Sequence, residues 1–189
     1  MSSVNDLVKF NIPTGYFYTL IPEGVRFLNP AIGGETSFRV PEKTAMLSTS
    51  LSFNLVPSSI QSRFFKLLLK DVDYWERDAV FYTSCDTWPA DVEIMVQGHW
   101  IKFAGADMVI DTRIEDTDEY ICIINFLANK DDYWVFGQAF YTDYYVIHEP
   151  TLGWLGIAPT EKRLKPPVEA GELPKMDINS PDALLVDSI

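Results

Sequence analysis

Short runs of β-branched and aromatic residues, cut by Pro, Gly and Asn, recur along the chain. Tyr16-Phe17-Tyr18-Thr19-Leu20, Val25-Arg26-Phe27, Ser37-Phe38-Arg39-Val40 and Val80-Phe81-Tyr82-Thr83 each read as a strand. Val92-Glu93-Ile94-Met95-Val96 begins by alternating apolar with polar, as a half-buried strand does. Gln97-Gly98 then supplies the turn into Trp100-Ile101-Lys102-Phe103. One segment has helical spacing: Pro57-Ser58-Ser59 offers a cap, and Ile60, Phe64, Leu67 and Leu68 follow as one apolar stripe. The last strand ends near Pro159. The pattern predicts a mainly β fold.

Beyond that strand the pattern breaks at Glu161-Lys162-Arg163-Leu164-Lys165-Pro166-Pro167. Residues 168–189 are acidic and interrupted by Pro174 and Pro181, so we expect a domain over 1–160 and an extended tail over 161–189. Within the tail, Leu184, Leu185 and Val186 form an apolar anchor suited to a partner's groove. The 189 residues suffice for one sizeable core, and 47% hydrophobic and 14% aromatic content argue for order through residue 160. A net charge of −12 disfavours nucleic acid and anionic membrane as partners, since both repel it. No apolar run approaches the ~20 residues of a membrane span, so an integral membrane protein is not expected. The N-terminal Met-Ser-Ser-Val-Asn-Asp has neither a basic nor an apolar leader region. That suggests an intracellular or organellar protein, mitochondrial among the options, rather than a secreted one.

The stretch Ala45-Met46-Leu47-Ser48-Thr49-Ser50-Leu51-Ser52 carries the chemistry. Two apolar residues, a three-residue turn and small hydroxyl residues resemble the second active-site loop of pepsin-like aspartic proteases, written there Asp-Thr-Gly followed by Thr-Ser or Ser-Ser. Here Ser48 stands for the Asp, Thr49 is kept, and Ser50 replaces the Gly. Further segments agree in order. Leu55-Val56-Pro57-Ser58 matches the step from the loop into a helix, and the Pro89–Ile110 stretch is similar to the Leu-Pro-Asp hairpin, with Asp91, Ile94 and Gly98 in register. Trp134-Val135-Phe136-Gly137-Gln138-Ala139-Phe140 resembles the Trp-Ile-Leu-Gly-Asp-x-Phe segment that threads beneath the loop. There, two crossing backbones leave no room for a Cβ at Gly137. Tyr144–Glu149 and Trp154–Pro159 parallel the closing strands.

The resemblance covers roughly residues 15 to 159. It implies the C-terminal lobe of the pepsin-like fold, with barrel-like sheets and one or two short helices, and no cofactor or metal. It also implies that Val135, Phe136 and Gly137 cross beneath Ser48, Thr49 and Ser50. The family's reaction needs two carboxylates sharing a proton and polarising a water, and a Ser hydroxyl cannot replace either. Only the second lobe is recognisable, so the expectation is a catalytically degenerate single lobe that is not an enzyme. Cys85 and Cys122 fall where that lobe places a disulfide; two buried free thiols are the alternative.

Other residues invite weaker readings. Asp111-Thr112-Arg113 looks like a relic of Asp-Thr-Gly but reads better as a hairpin end. Glu115-Asp116-Thr117-Asp118-Glu119 lacks the spacing of a calcium loop and reads as a solvated turn, as does Asp131-Asp132. His99 and His148 have no ligand spacing with the cysteines, and His148 reads as packed. Three functions compete: an accessory or structural subunit of a larger protein assembly, a peptide-binding module using the remnant cleft, or half of a split protease completed by another chain. Nine Tyr and five Trp suit the packed interfaces of the first.

Overall fold

The structure is a computed structural model that describes residues 7–12, 18–29, 34–113, 120–160 and 168–169. In chain order the first strands are β1 (Val8–Asn11), β2 (Thr19–Leu20), β3 (Pro22–Asn29), β4 (Gly34–Arg39), β5 (Ala45–Leu47) and β6 (Asn54–Val56). Helix α1 (Gln61–Leu68) precedes β7 (Tyr74–Arg77), β8 (Val80–Thr83), β9 (Asp91–Val96) and β10 (His99–Phe103). A 3-10 turn, Gly105–Met108, leads to β11 (Val109–Arg113), β12 (Tyr120–Ile124), β13 (Phe126–Ala128) and β14 (Trp134–Phe136). Helix α2 (Gln138–Asp143), β15 (Tyr144–Glu149), β16 (Trp154–Pro159) and β17 (Val168–Glu169) complete the order. The fold is mainly β, with two short helices.

The described strands form four sheets, ordered β1-β16-β15, β17-β10-β9-β3-β4, β11-β12-β8-β7 and β13-β6-β14-β5-β2. Alternation sets the faces. In β3, Val25 and Phe27 are buried while Arg26 between them points away and pairs with Glu93 of β9. Beyond Glu93 lies Lys102 of β10, ion-paired to Asp91 at 2.6 Å, so the polar face is matched in charge across strands. The Gln97–Gly98 turn has φ of 45° and 76°, the doubly positive geometry of a two-residue hairpin. Asp111-Thr112-Arg113 ends the β11–β12 hairpin.

Helix α1 joins the sheets through aromatic packing. The fully buried Phe64 ring lies 5.2 Å from Phe27, 5.3 Å from Phe126 and 5.8 Å from Trp134, centroid to centroid. The helical stripe differs from expectation at two places. Leu67 is only half-buried, and Phe65, absent from the expected stripe, packs 4.5 Å from Phe81. The cap differs too. Ile60 occupies the cap position with no side-chain bond, and the Ser59 N–H instead donates to Asp132 Oδ1 at 3.2 Å, from a loop 73 residues away.

Cys85 and Cys122 form a disulfide with Cα atoms 5.1 Å apart, tying the end of β8 to β12. The Tyr144 hydroxyl sits against β10, donating to the Lys102 carbonyl at 2.7 Å and accepting from its N–H at 3.1 Å. Burial raises its pKa far above the ordinary phenol value, so it keeps the proton it donates. At the end of the domain, the Thr160 N–H donates to the Asp143 carbonyl at 2.8 Å. Past that point Val168 and Glu169 pair with Trp100 and His99, adding a short strand to the edge of β10. The rest of the tail, with Leu184, Leu185 and Val186, lies outside the described residues, as do Tyr16, Phe17 and the Glu115–Glu119 turn.

The disulfide closes a span of 37 residues. Replacing both Cys85 and Cys122 by Ala is expected to lower unfolding stability by ~3–4 kcal/mol. Urea midpoints of the wild type with and without reductant, compared with the double variant, check this.

Candidate functional site

The site is built on three short strands whose order is not their chain order. β5 and β6 are joined by residues 48–53, yet β14 lies between them, parallel to β5 and antiparallel to β6. Leu47 pairs with Phe136, and the Ser48 N–H donates to the Phe136 carbonyl at 2.9 Å. Val135-Phe136-Gly137 therefore passes directly beside the Ser48-Thr49-Ser50 tip, in the space between the two arms of its loop.

Gly137 is required by that passage. A Cβ there would fall inside contact distance of the Phe53 and Leu51 carbonyl oxygens. Its N–H donates at 3.0 Å to Oδ1 of Asn54, a side chain with no solvent exposure. Helix α2 starts on the same loop: the Gln138 N–H donates to the Leu51 carbonyl at 2.6 Å, and Gln138 Nε2 to the Thr49 carbonyl at 2.9 Å. Both loop arms are thus held by the segment threaded between them.

At the tip the functional groups are hydroxyls. Ser48 Oγ lies 2.9 Å from Ser50 Oγ, and the Ser50 N–H donates to Ser48 Oγ at 3.4 Å, a local turn of the kind Ser side chains favour. His148 makes no base for Ser48; its ring packs 4.7 Å from the ring of Tyr18. Such a tip can donate and accept hydrogen bonds, but its side chains hold no charge with which to polarise a water. Around it Tyr18, Met46 and Leu51 are exposed apolar side chains. A surface cavity lies elsewhere, lined among others by Phe27, Leu67, Asp71, Trp88 and Gly105, and no residue of the 48–53 loop lines it.

The family model for eukaryotic aspartyl proteases matches residues 24–160. The chain belongs to the eukaryotic aspartyl protease family. A search of curated proteins gave no significant match. As an aspartyl protease domain the chain keeps the threaded strand and its Gly, and carries Ser at the tip.

Two supports of this aspartyl protease loop escaped the sequence reading. Asn54 follows no motif, and its role exists only because Gly137 arrives 83 positions later. Asp132 is more than a residue of a solvated turn. Besides the Ser59 N–H, it holds Lys43 Nζ at 2.5 Å, clasping the start of α1 to the chain just before β5. The Lys43 bond, with Ser59 adding to it, keeps the Asp132 carboxyl below the ordinary aspartate pKa.

Gly137→Ala is expected to destabilise the domain by about 3 kcal/mol or more, because neither carbonyl can retreat without breaking the loop. Chemical denaturation measures this directly. For Asp132 the lowered folded pKa means that its stabilising effect is complete above about pH 4 and fades as pH falls through the folded value. Asp132→Asn lacks that effect at every pH. The stability gap between the wild type and this variant, measured by melting at successive pH values, is expected to close on acidification.

Proposed function

We propose that this aspartyl protease domain is a non-catalytic lobe, a pseudo-protease that serves as an accessory or structural subunit of a larger protein assembly. The observation that carries the reading is Ser48 at the loop tip, at the position that the resemblance assigns to the catalytic carboxylate, its hydroxyl hydrogen-bonded to Ser50 alone among the described residues. The general reaction needs two carboxylates within reach of one water. Whichever polypeptide supplies the opposite half of a cleft, this half brings hydroxyls.

Exposed apolar side chains support the assembly part of the reading. Tyr18, Met46 and Leu51 surround the tip, and Tyr145 and Ile147 project from β15 at the edge of its sheet. Exposed apolar groups of this kind favour a protein cover. Among the described residues no helix is long and apolar enough to cross a membrane. The Cys85–Cys122 disulfide favours an oxidising compartment.

The purified protein is expected to cleave no peptide at acid pH, with or without pepstatin. Ser48→Asp combined with Ser50→Gly is expected to stay inactive, because the exchange supplies one carboxylate of the two. Pepstatin-sensitive cleavage by the wild type overturns the non-catalytic reading, and cleavage by the variant alone overturns the expectation that one carboxylate is too few. Size analysis of the native protein in extract, before and after truncation at Thr160, tests the assembly: a stable monomer in the full-length form overturns it.

A further inference from the structure

The four-stranded sheet β11-β12-β8-β7 carries apolar residues on both faces. Its inner face sends Phe81, Thr83, Cys122 and Ile124 into the core. On the outer face the register aligns Trp75, Tyr82, Ile123 and Ile110 in a single row across all four strands. Trp75 is 48% exposed and Ile110 39%, and the Trp75 and Tyr82 rings stack 5.7 Å apart. Val80 and Ile121, on the same face, are half-buried. An outer sheet face is normally polar; this one carries an apolar row beside Arg77.

The row runs out to an open edge. β7 ends the sheet, and among the described residues no strand pairs with its outer side. Its hairpin closes through Asp78 and Ala79, with φ of 54° and 61°, which makes Arg77 and Val80 the closing pair. Pairing alternates from there. Arg77 and Trp75 turn their backbone groups toward β8, whereas Tyr74 and Glu76 turn theirs outward. The surroundings are acidic: Asp73, Glu76, Asp78 and Asp86 are all exposed, and the one cation over residues 73–86, Arg77, lies 3.7 Å from Asp78.

We propose that the outer edge of β7 receives an extended segment of a partner protein. An apolar or aromatic residue of that segment continues the Trp75–Tyr82–Ile123–Ile110 row, while its lysines or arginines meet the flanking carboxylates. A second copy of this chain is a poorer occupant, since it brings the same acidic edge and a net charge of −12. The proposal goes beyond the reading above. It concerns a different sheet from the Ser48 loop and holds whether or not that loop catalyses.

The test titrates the full-length protein with a short fluorescent peptide in which lysine alternates with isoleucine and tyrosine, and with the same peptide carrying glutamate for lysine. The lysine peptide is expected to bind, and the glutamate peptide at least about tenfold more weakly. Trp75→Ala and Glu76→Pro are each expected to weaken binding about tenfold or more. The first removes the outer end of the row, and the second removes an outward N–H without touching the β8 ladder. Glu76→Gln isolates the lost charge, and Leu152→Ala, in the exposed turn between β15 and β16, is expected to bind as wild type. Should Glu76→Pro fail to fold by circular dichroism, Ile110→Lys reads the same face. The proposal is overturned if the wild type does not bind, or if Trp75→Ala and Ile110→Lys bind unchanged. It is also overturned if Trp75→Ala dissolves a homodimer, or if binding appears only after removal of residues 170–189, which would give the edge to the chain's own tail.

Discussion

The backbone of Phe136 and Gly137 passes between two strands that are neighbours in sequence, and the rest of the domain is arranged to permit it. β14 inserts between β5 and β6, so the loop joining them must open wide enough to straddle a third strand. The insertion leaves no volume for a side chain at Gly137 and orients the buried Asn54 toward that residue's N–H. Its donors and acceptors are met on both sides: the Phe136 carbonyl by Ser48, and the Leu51 and Thr49 carbonyls by Gln138. In a buried crossing each unmet backbone group would carry a desolvation penalty of about 1–3 kcal/mol, so the bonds are what make the topology tenable. The aromatic core then fills the space around the crossing, with Phe136, Phe103 and Phe140 packed ring to ring.

This architecture separates the scaffold of the loop from its chemistry. None of the bonds that tie the tip to the threaded segment uses the Ser48 side chain, which bonds within the tip to Ser50; they run through backbone groups and through Asn54 and Gln138. The crossing therefore stands with a hydroxyl at position 48 and asks for no carboxylate there. A neutral tip also removes the repulsion between two carboxylates that an active pair must accommodate. The clasp of Asp132 on Lys43 and Ser59 shows where the domain does use a carboxylate, here a partly exposed one: to fix α1 against the entry to β5. What remains distinctive about the surface is apolar, with exposed Tyr18, Met46 and Leu51 near the tip and the Trp75 row on a separate sheet.

The sequence by itself determined the class of the fold and the location of the loop. Strands at Val92–Val96 and Trp100–Phe103, with the turn at Gln97-Gly98, follow from local alternation and turn chemistry, because a period of two and a left-handed turn are properties of adjacent residues. The segments around Ser48 and Gly137 were legible because a crossing that tolerates no Cβ leaves a fixed residue type in a fixed apolar frame. Only the tertiary structure decided the rest. Helix α1 starts at Ile60 with no side-chain cap from Ser58 or Ser59, the Ser59 N–H before it being held by Asp132, and Phe65 is buried because β8 brings Phe81 against it. Tyr144 was readable as a strand residue, but not as the group that closes the Lys102 edge. Trp75, Tyr82, Ile123 and Ile110 are scattered over 49 positions as numbered, and become one row only through the register of three strand pairs. Hydrogen-bond partners and shared faces between distant segments are set by how sheets stack, and that information lies in no single window of the chain.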